Sequence, residues 1–192
     1  MTNNTAGGKN GFTLIETLVA VLILAVAIAG PLTIASQGLQ TALVAKDQIT
    51  AYYLAQDAIE YVRFIRDTNT LSGQPWLAGL DGTANGHTNG GAAGGNCGSA
   101  NGCNIDSVND KTSTCLGGPC AALNYDQSNH YYNYNTISGT NPPTTFTRTV
   151  VIQTPVGTNA DEALVTASVS WRDNAGNTHP PVVERENIFR WQ

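Results

Sequence analysis

The sequence predicts an α+β protein: a long N-terminal α-helix, with a membrane-spanning half and an amphipathic half, packed on a C-terminal antiparallel β-sheet. The apolar run Phe12–Ala35 holds a single charge, Glu16. Apolar residues then recur every three, four or seven positions between Gly38 and Asp67, as on one face of a helix. From Ala163 to Trp171, apolar and polar residues alternate with the period of a half-buried strand.

Composition narrows the classes of function. The 192 residues are 41% hydrophobic and only 12% charged, which suits one modest domain on a membrane helix. The formal net charge is −5, and the lysines and arginines form no basic stripe along the sequence. Direct nucleic-acid binding by this chain alone is therefore not expected, although partners could supply positive charge in a larger assembly.

The predicted helix has a carboxylate, Glu16, near the N-terminal end of its apolar run. About 20 apolar residues, each rising about 1.5 Å in a helix, suffice to cross the hydrocarbon of a bilayer. One membrane span is therefore predicted from Phe12 onward. An ionisable group such as Glu16 is costly inside hydrocarbon, so it should have a partner, and a positively charged N-terminus nearby would neutralise it.

The residues at this boundary read Gly11-Phe12-Thr13-Leu14-Ile15-Glu16. The stretch resembles the processing site of type IV pilins and type II secretion pseudopilins, because Glu16 is the fifth residue counted from the Gly11–Phe12 bond. The resemblance implies that a prepilin peptidase cuts after Gly11 and methylates the new amine of Phe12. It also implies that Phe12 and Glu16 fix the register between pilin or pseudopilin subunits. The leader holds one lysine, Lys9, where the family often has two basic residues.

A secretory signal or a plain membrane anchor is the alternative interpretation of this segment. A secretory signal is cleaved beyond its apolar core, whereas here the glycine precedes the core. A plain membrane anchor does not need a carboxylate near the N-terminal end of its span. Lys9 precedes the span and the next basic residue is Lys46. This weak positive bias predicts a single pass, with the leader in the cytoplasm and the C-terminal domain extracytoplasmic. The resemblance to pilins implies that the membrane is the inner membrane.

Gly30 and Pro31 interrupt the apolar run. Proline lacks a donor N–H and clashes with the preceding turn, so a helix kink is predicted there. The kink is either that of a tolerated membrane-helix proline or, as the resemblance to pilins implies, a point where the helix stretches during filament packing.

The amphipathic half of the helix reaches Asp67. Its apolar stripe consists of Val44, Ala51, Leu54, Ala55, Ala58, Ile59, Val62 and Ile65. Charged residues occupy much of the remaining surface, and Arg63 is expected to form exposed pairs with Glu60 and Asp67 that contribute only tenths of a kcal/mol. The run from Tyr53 to Asn69 resembles the post-membrane helix of minor pilins.

Between Asn69 and Pro142 the chain is rich in glycine and asparagine, which predicts a long surface loop anchored at its start by Trp76 and Leu77. The four cysteines of this region are Cys97, Cys103, Cys115 and Cys120. An even number in a segment that reaches an oxidising compartment favours two disulfides. The local pairs Cys97–Cys103 and Cys115–Cys120 are preferred and nested pairing is next. Zinc is the competing chemistry, although neither spacing is the CxxC of a zinc ribbon.

Other polar residues between Asn69 and Pro142 give weaker evidence of a binding site. Asp81, Asp106 and Asp110 could suggest calcium, but they lack the EF-hand pattern, so solvated loop carboxylates are expected. The local tyrosine cluster consists of Tyr125, Tyr131, Tyr132 and Tyr134. Packing is its expected role, with Tyr132 and Tyr134 on one strand face, and an adhesive or partner-binding patch is the alternative.

Three strands in an antiparallel meander are predicted for the C-terminal third, at Thr144–Thr154, Glu162–Arg172 and Pro181–Trp191. The apolar face of the first strand comprises Phe146, Val150 and Ile152, with Arg148 as an interruption. Ile188, Phe189 and Trp191 are expected to close the core.

Familiar catalytic patterns are absent from the sequence. His87, His130 and His179 lie in glycine-rich or polar contexts, without an HExxH or GxSxG pattern, and the cysteines are expected to be oxidised. An enzyme is therefore not expected, and no catalytic residue, cofactor site or metal site is predicted.

These observations divide the chain into five segments. They are a leader peptide at 1–11, a transmembrane half-helix at 12–37, an amphipathic half-helix at 38–69, a Gly/Asn-rich loop region with four cysteines at 70–142, and an antiparallel sheet at 143–192. The expected function is that of a minor type IV pilin-like structural subunit, which an inner-membrane assembly platform builds with other subunits into a pilus or pseudopilus. The alternative is a membrane-anchored extracytoplasmic binding module that does not polymerise.

Overall fold

The computed structural model describes residues 11–83, 95–135, 141–155, 157, 160–173 and 176–190. Some residues of the sequence predictions lie outside this set, namely Lys9 with the rest of the leader up to Asn10, His87 and Trp191. The chain divides into two compact units, Met1–Ala45 and Lys46–Gln192.

One helix, α1, extends from Leu14 to Leu71, just beyond the predicted end at 69. Gly30 and Pro31 lie inside it. Because the helix continues through them, the proline does not end it, and the kink expected there stays a prediction.

The C-terminal end of α1 is closed by a glycine. Gly73 has a φ of 69°, a left-handed conformation that suits glycine. Its N–H donates to the carbonyl of Thr70, and the N–H of Gln74 donates to the carbonyl of Asn69. These two bonds form a Schellman motif, which satisfies carbonyl groups at the helix end and stops the helix.

The first unit presents an apolar surface on every side. All residues from Gly11 to Leu43 are exposed. Four consecutive residues, Val21 to Leu24, point in four directions around the helix, and each is 59% to 69% exposed. This part of α1 is also long and apolar enough to cross a membrane. A helix that is apolar all round must be covered by lipid or by other apolar helices.

In the described residues of the second unit, seven strands form one antiparallel sheet. The strands are β1 (Cys103–Asp106), β2 (Lys111–Thr114), β3 (Ala122–Asp126), β4 (Tyr131–Asn133), β5 (Pro143–Gln153), β6 (Glu162–Ser170) and β7 (Val182–Phe189). Strand β5 is the longest and pairs with three others, β6, β1 and β3.

The predicted C-terminal meander is confirmed. Strand β6 pairs with β5 and β7, with Val150 opposite Ala167 and Ala167 opposite Glu184. The predicted inward face of this strand is buried, since Ala163, Val165, Ala167 and Val169 are 0% exposed and Trp171 is 4% exposed. The alternation of apolar and polar residues therefore predicted correctly which face of β6 is buried.

The helix packs on this sheet through a stripe with small side chains. Ala51, Ala55 and Ala58 are fully buried together with Val62 and Ile65. Alanine side chains let a helix lie close to a sheet, and the branched residues fill the space between them. The predicted stripe is confirmed, except that Val44 is only half-buried.

The region predicted as a long loop at 70–142 is not loop throughout. It holds two hairpins, β1–β2 and β3–β4, both of which pair with β5. Their strands are only 3 to 5 residues long, so each is too short to give a clear period in sequence. Long-range pairing to β5 supplies the order that composition alone did not predict.

Both hairpins turn with the same chemistry. Asp106 accepts a hydrogen bond from the N–H of Asn109, and Asp126 accepts one from the N–H of Asn129. The next residues, Asp110 and His130, have positive φ values of 52° and 60°. The pattern N-x-D-x-x-N, which occurs at 104–109 and at 124–129, could have revealed this repeated turn.

Candidate processing and assembly site

The start of α1 is fixed by Thr13. Its hydroxyl and its carbonyl oxygen both accept the N–H of Glu16, at 3.3 and 3.1 Å, and its carbonyl also accepts the N–H of Thr17. Thr13 therefore acts as the N-cap, and Glu16 occupies the third helical position. The sequence pattern T-x-x-E before an apolar run is that of a capping box, which could have predicted this helix start.

This placement gives Glu16 a local electrostatic role besides any role between subunits. A carboxylate in the first turn of a helix is stabilised by the unpaired N–H groups and by the positive end of the helix dipole. Among the described residues, no cation forms an ion pair with Glu16. A positive group from another molecule would therefore find this carboxylate available.

The Gly11–Phe12 bond lies just before the helix, in backbone without regular structure. Phe12 is 82% exposed, and a Cβ built on Gly11 would meet nothing within 4 Å. A peptidase needs extended, accessible backbone on both sides of the bond that it cuts. The structure therefore places Gly11, Phe12 and Glu16 at one end of the helix, with Gly11 and Phe12 exposed.

Other polar groups along the apolar half of α1 are satisfied within the helix. The hydroxyls of Thr17, Thr33 and Ser36 donate to carbonyl groups three or four residues earlier, at 2.8 to 3.0 Å. Such internal bonds remove the cost of placing a hydroxyl in hydrocarbon. Gly30 and Pro31 lie near the middle of this half, away from Gly11 and Phe12.

The four cysteines form the two local disulfides that the sequence favoured, Cys97–Cys103 and Cys115–Cys120. The first joins the segment before β1 to β1 itself, and both of its cysteines are fully buried in the core. The N–H of Ile152 donates to the carbonyl of Cys97, which ties this segment to β5 as well. The disulfides therefore support the hairpins of the second unit.

Sequence reasoning missed the role of Arg148. It read this residue as an interruption of an apolar strand face, yet Arg148 is 1% exposed and lies between β5 and α1. The ion-pair partner of Arg148, Asp57, is one of the charged residues on the remaining surface of the helix. The only signal in the sequence was a cation at an inward position of an alternating strand, which requires a buried acceptor.

Comparison with known proteins bears on the N-terminal site. Residues 7–30 match the family model described as the prokaryotic N-terminal methylation motif. The match includes the Gly11–Phe12 bond and Glu16. No curated protein and no solved structure matches the chain significantly. The chain therefore carries, over residues 7–30, the type IV prepilin signature.

Proposed function

We propose that this chain is a minor type IV pilin-like structural subunit that is cut after Gly11, methylated at Phe12 and assembled into a pilus or pseudopilus. The signature at residues 7–30 supports its being a substrate of the prepilin peptidase. Adhesion, DNA uptake, motility and secretion are the uses that such a filament serves.

The observation that carries the proposal is a carboxylate without an ion-pair partner among the described residues, at the start of a helix whose first half, up to Leu43, is exposed on every side. In the membrane, lipid covers the apolar side chains, but Glu16 still costs free energy. In a filament, the helices of other subunits cover the same side chains. The methylated amine of a neighbouring Phe12 then neutralises Glu16 and sets the axial register.

Location and partners follow from this assembly. The subunit waits in the inner membrane, with Lys46–Gln192 on the extracytoplasmic side, until the assembly platform adds it to the filament. Its partners are the prepilin peptidase, the platform and other pilin or pseudopilin subunits. The chain itself is not an enzyme and does not bind nucleic acid directly in this proposal.

The proposal is tested by the intact mass of the full chain, purified from cells with and without a prepilin peptidase. With the peptidase, we expect the mass of a chain that starts at Phe12 and carries one added methyl group. Without it, we expect the full-length mass. A chain that keeps Met1 to Gly11 in the presence of an active peptidase would contradict the proposal and favour the plain anchor.

Gly11→Val is the matched variant. Gly11 has open space around it and no positive φ, so valine fits here without strain. Loss of cleavage in this variant would therefore report recognition by the peptidase and not misfolding. Gly38→Val is the control, because Gly38 also has open space but lies outside the matched motif, so its cleavage should be normal.

A further inference from the structure

A groove of about 750 Å³ lies in the second unit, between α1 and the turns of both hairpins. Residues between Lys46 and Asp57 form its helical wall. Ser107 and Val108 from the β1–β2 turn, with residues of β3 and β4, form the opposite side. We refer to it as the tyrosine groove, because Tyr53, Tyr125, Tyr131 and Tyr132 line it.

We infer that the tyrosine groove binds a neutral oligosaccharide. Its size lies within the range of small-ligand sites, which is about 300–1,000 Å³. The inference goes beyond the proposed function and does not depend on filament assembly, since all lining residues belong to the unit Lys46–Gln192.

The aromatic side chains supply stacking surfaces. Tyr53 is 67% exposed, although its ring is large enough to contribute to a core. The ring centroids of Tyr125 and Tyr132 lie 5.1 Å apart, and Tyr132 also meets Phe146 edge-on at 6.1 Å. These contacts hold the tyrosines of the groove floor on the core. Sugar rings present C–H faces that pack on aromatic rings.

The charges of the groove disfavour an anionic ligand. Lys46 is its only lysine or arginine among the described residues. Asp57, on the same wall, is already bound by Arg148 at 2.7 Å and by Ser107 at 2.8 Å. A phosphate-bearing ligand would need several cationic groups, which this groove does not present. A neutral polar ligand fits the single ammonium group better.

Three aliphatic hydroxyl groups of the groove favour a glycan over a proline-rich peptide, although both ligands pack on tyrosines. Thr50, Ser107 and Thr144 each donate their single proton inside the protein, to the carbonyl of Lys46, to Asp57 and to the carbonyl of Leu123, at 2.7 to 3.0 Å. A hydroxyl that has used its proton can only accept from a ligand. A ligand that hydrogen-bonds to these three hydroxyls must therefore bring donors. Proline has no N–H, whereas every sugar ring carries several O–H groups.

The groove is also held in shape before any ligand binds. The β3–β4 turn is closed by Asp126, which accepts hydrogen bonds from the N–H groups of Ser128 and Asn129 at 2.8 and 3.0 Å. The β1–β2 turn is held on α1 by the bond between Ser107 and Asp57. A site whose walls are fixed in advance loses less conformational entropy on binding.

The test uses the full chain in a zwitterionic detergent, since detergents with sugar head groups would compete for the groove. The chain is applied to an array of neutral and acidic oligosaccharides and, separately, to a proline-rich peptide. We expect binding to at least one neutral oligosaccharide. For that ligand, Tyr53→Ala and Lys46→Ala should each weaken affinity about tenfold, which corresponds to about 1.4 kcal/mol. Tyr53→Phe, which keeps the ring, should bind nearly as well as the original chain.

Phe64→Ala is the matched control, because Phe64 is an aromatic residue of the same helix, 49% exposed, that does not line the groove. It should leave affinity unchanged. The inference is overturned if no neutral oligosaccharide binds, if only acidic oligosaccharides or the proline-rich peptide bind, or if Tyr53→Ala binds as well as Phe64→Ala. Cleavage of the leader is read separately by mass, so failure here leaves the proposed function standing.

Discussion

Arg148 donates a 2.7 Å hydrogen bond to the carboxylate of Asp57, and this contact joins the longest strand to the helix. The same guanidinium donates to the carbonyl of Leu54 at 2.8 Å and to that of Ile105 on β1. Its side chain is 2% exposed, whereas that of Asp57 is 45% exposed. The buried guanidinium of Arg148 therefore joins β5, α1 and β1, while the carboxylate that balances its charge is partly exposed to solvent.

We predict that Asp57→Ala destabilises the second unit by roughly 2 kcal/mol, the usual size for a hydrogen bond to a charged group. The loss arises because the buried guanidinium of Arg148 is left without its counter-charge. Adding Arg148→Met should recover part of the loss, since methionine fills similar space without a charge. The measurement is urea unfolding of the full chain in micelles, followed by the fluorescence of buried Trp171.

The control for this comparison is Asp161→Ala. Asp161 pairs with Arg190 at 3.3 Å, and both side chains are largely exposed, so its removal should cost at most about 1 kcal/mol. Equal losses for Asp57→Ala and Asp161→Ala, or a double variant that is the simple sum of its parts, would show that Arg148 is not a coupling point.

A second prediction concerns stability at alkaline pH. Burial, followed by the hydrogen bond to Asp110, raises the pKa of Tyr61 far above its ordinary value. A pKa raised by folding gives a contribution that is complete below the ordinary tyrosine value of about 10 and is lost as the pH rises further. The unfolding free energy should therefore fall above about pH 10.

Tyr61→Phe tests this assignment. We expect a loss of about 1 kcal/mol at neutral pH, from the missing hydrogen bond, and a shallower decline above pH 10. Tyr53→Phe is the control, because Tyr53 is exposed and should change neither quantity. The same alkaline slope in Tyr61→Phe and in the original chain would assign the decline to other tyrosines.

Much of the fold was predictable because its signals are local. The inward face of β6 and the stripe from Ala51 to Ile65 follow from hydrophobic period alone, and both are buried as predicted. The local cysteine pairs, which the sequence analysis preferred to nested pairing, are the pairs that form. The motif Gly11 to Glu16 was specific enough to predict the prepilin signature that residues 7–30 carry.

Long-range contacts account for what the sequence did not reveal. The strand β4 has only three residues, Tyr131–Asn133, and is defined by its pairing with β3, so no window of sequence contains its signal. The inward position of Arg148 could be predicted from strand period, but its acceptors lie on Asp57, Leu54 and Ile105, far away in sequence. The tyrosine groove depends on the same long-range pairing.

The third prediction compares the two disulfides. Each closes a short loop, for which chain entropy alone gives a stabilisation of roughly 2 kcal/mol. Cys97 and Cys103 are fully buried within the main hydrophobic cluster, whereas Cys115 and Cys120, which are 5% and 6% exposed, are buried outside it. Changing Cys97 and Cys103 together to alanine should therefore cost about 1 kcal/mol more than the same change at Cys115 and Cys120, because it leaves a void in the core. Urea midpoints under oxidising conditions measure the difference, and equal midpoints would contradict it.

The last prediction isolates the charge of Glu16. Glu16→Gln keeps the size of the side chain and its place in the first turn of α1, but removes the negative charge that we propose pairs with the amine of a neighbouring Phe12. Incorporation into sheared filaments, measured against the amount in the membrane, should fall at least about tenfold, equivalent to about 1.4 kcal/mol. Leader cleavage and Trp171 fluorescence should stay unchanged, because neither depends on this charge.

Glu60→Gln is the control, because it removes a charge from an exposed position on the same helix. Glu60 pairs with Arg63, and this variant should be incorporated normally. Normal incorporation of Glu16→Gln would mean that apolar packing alone sets the register, since the ion pair would then contribute nothing to assembly.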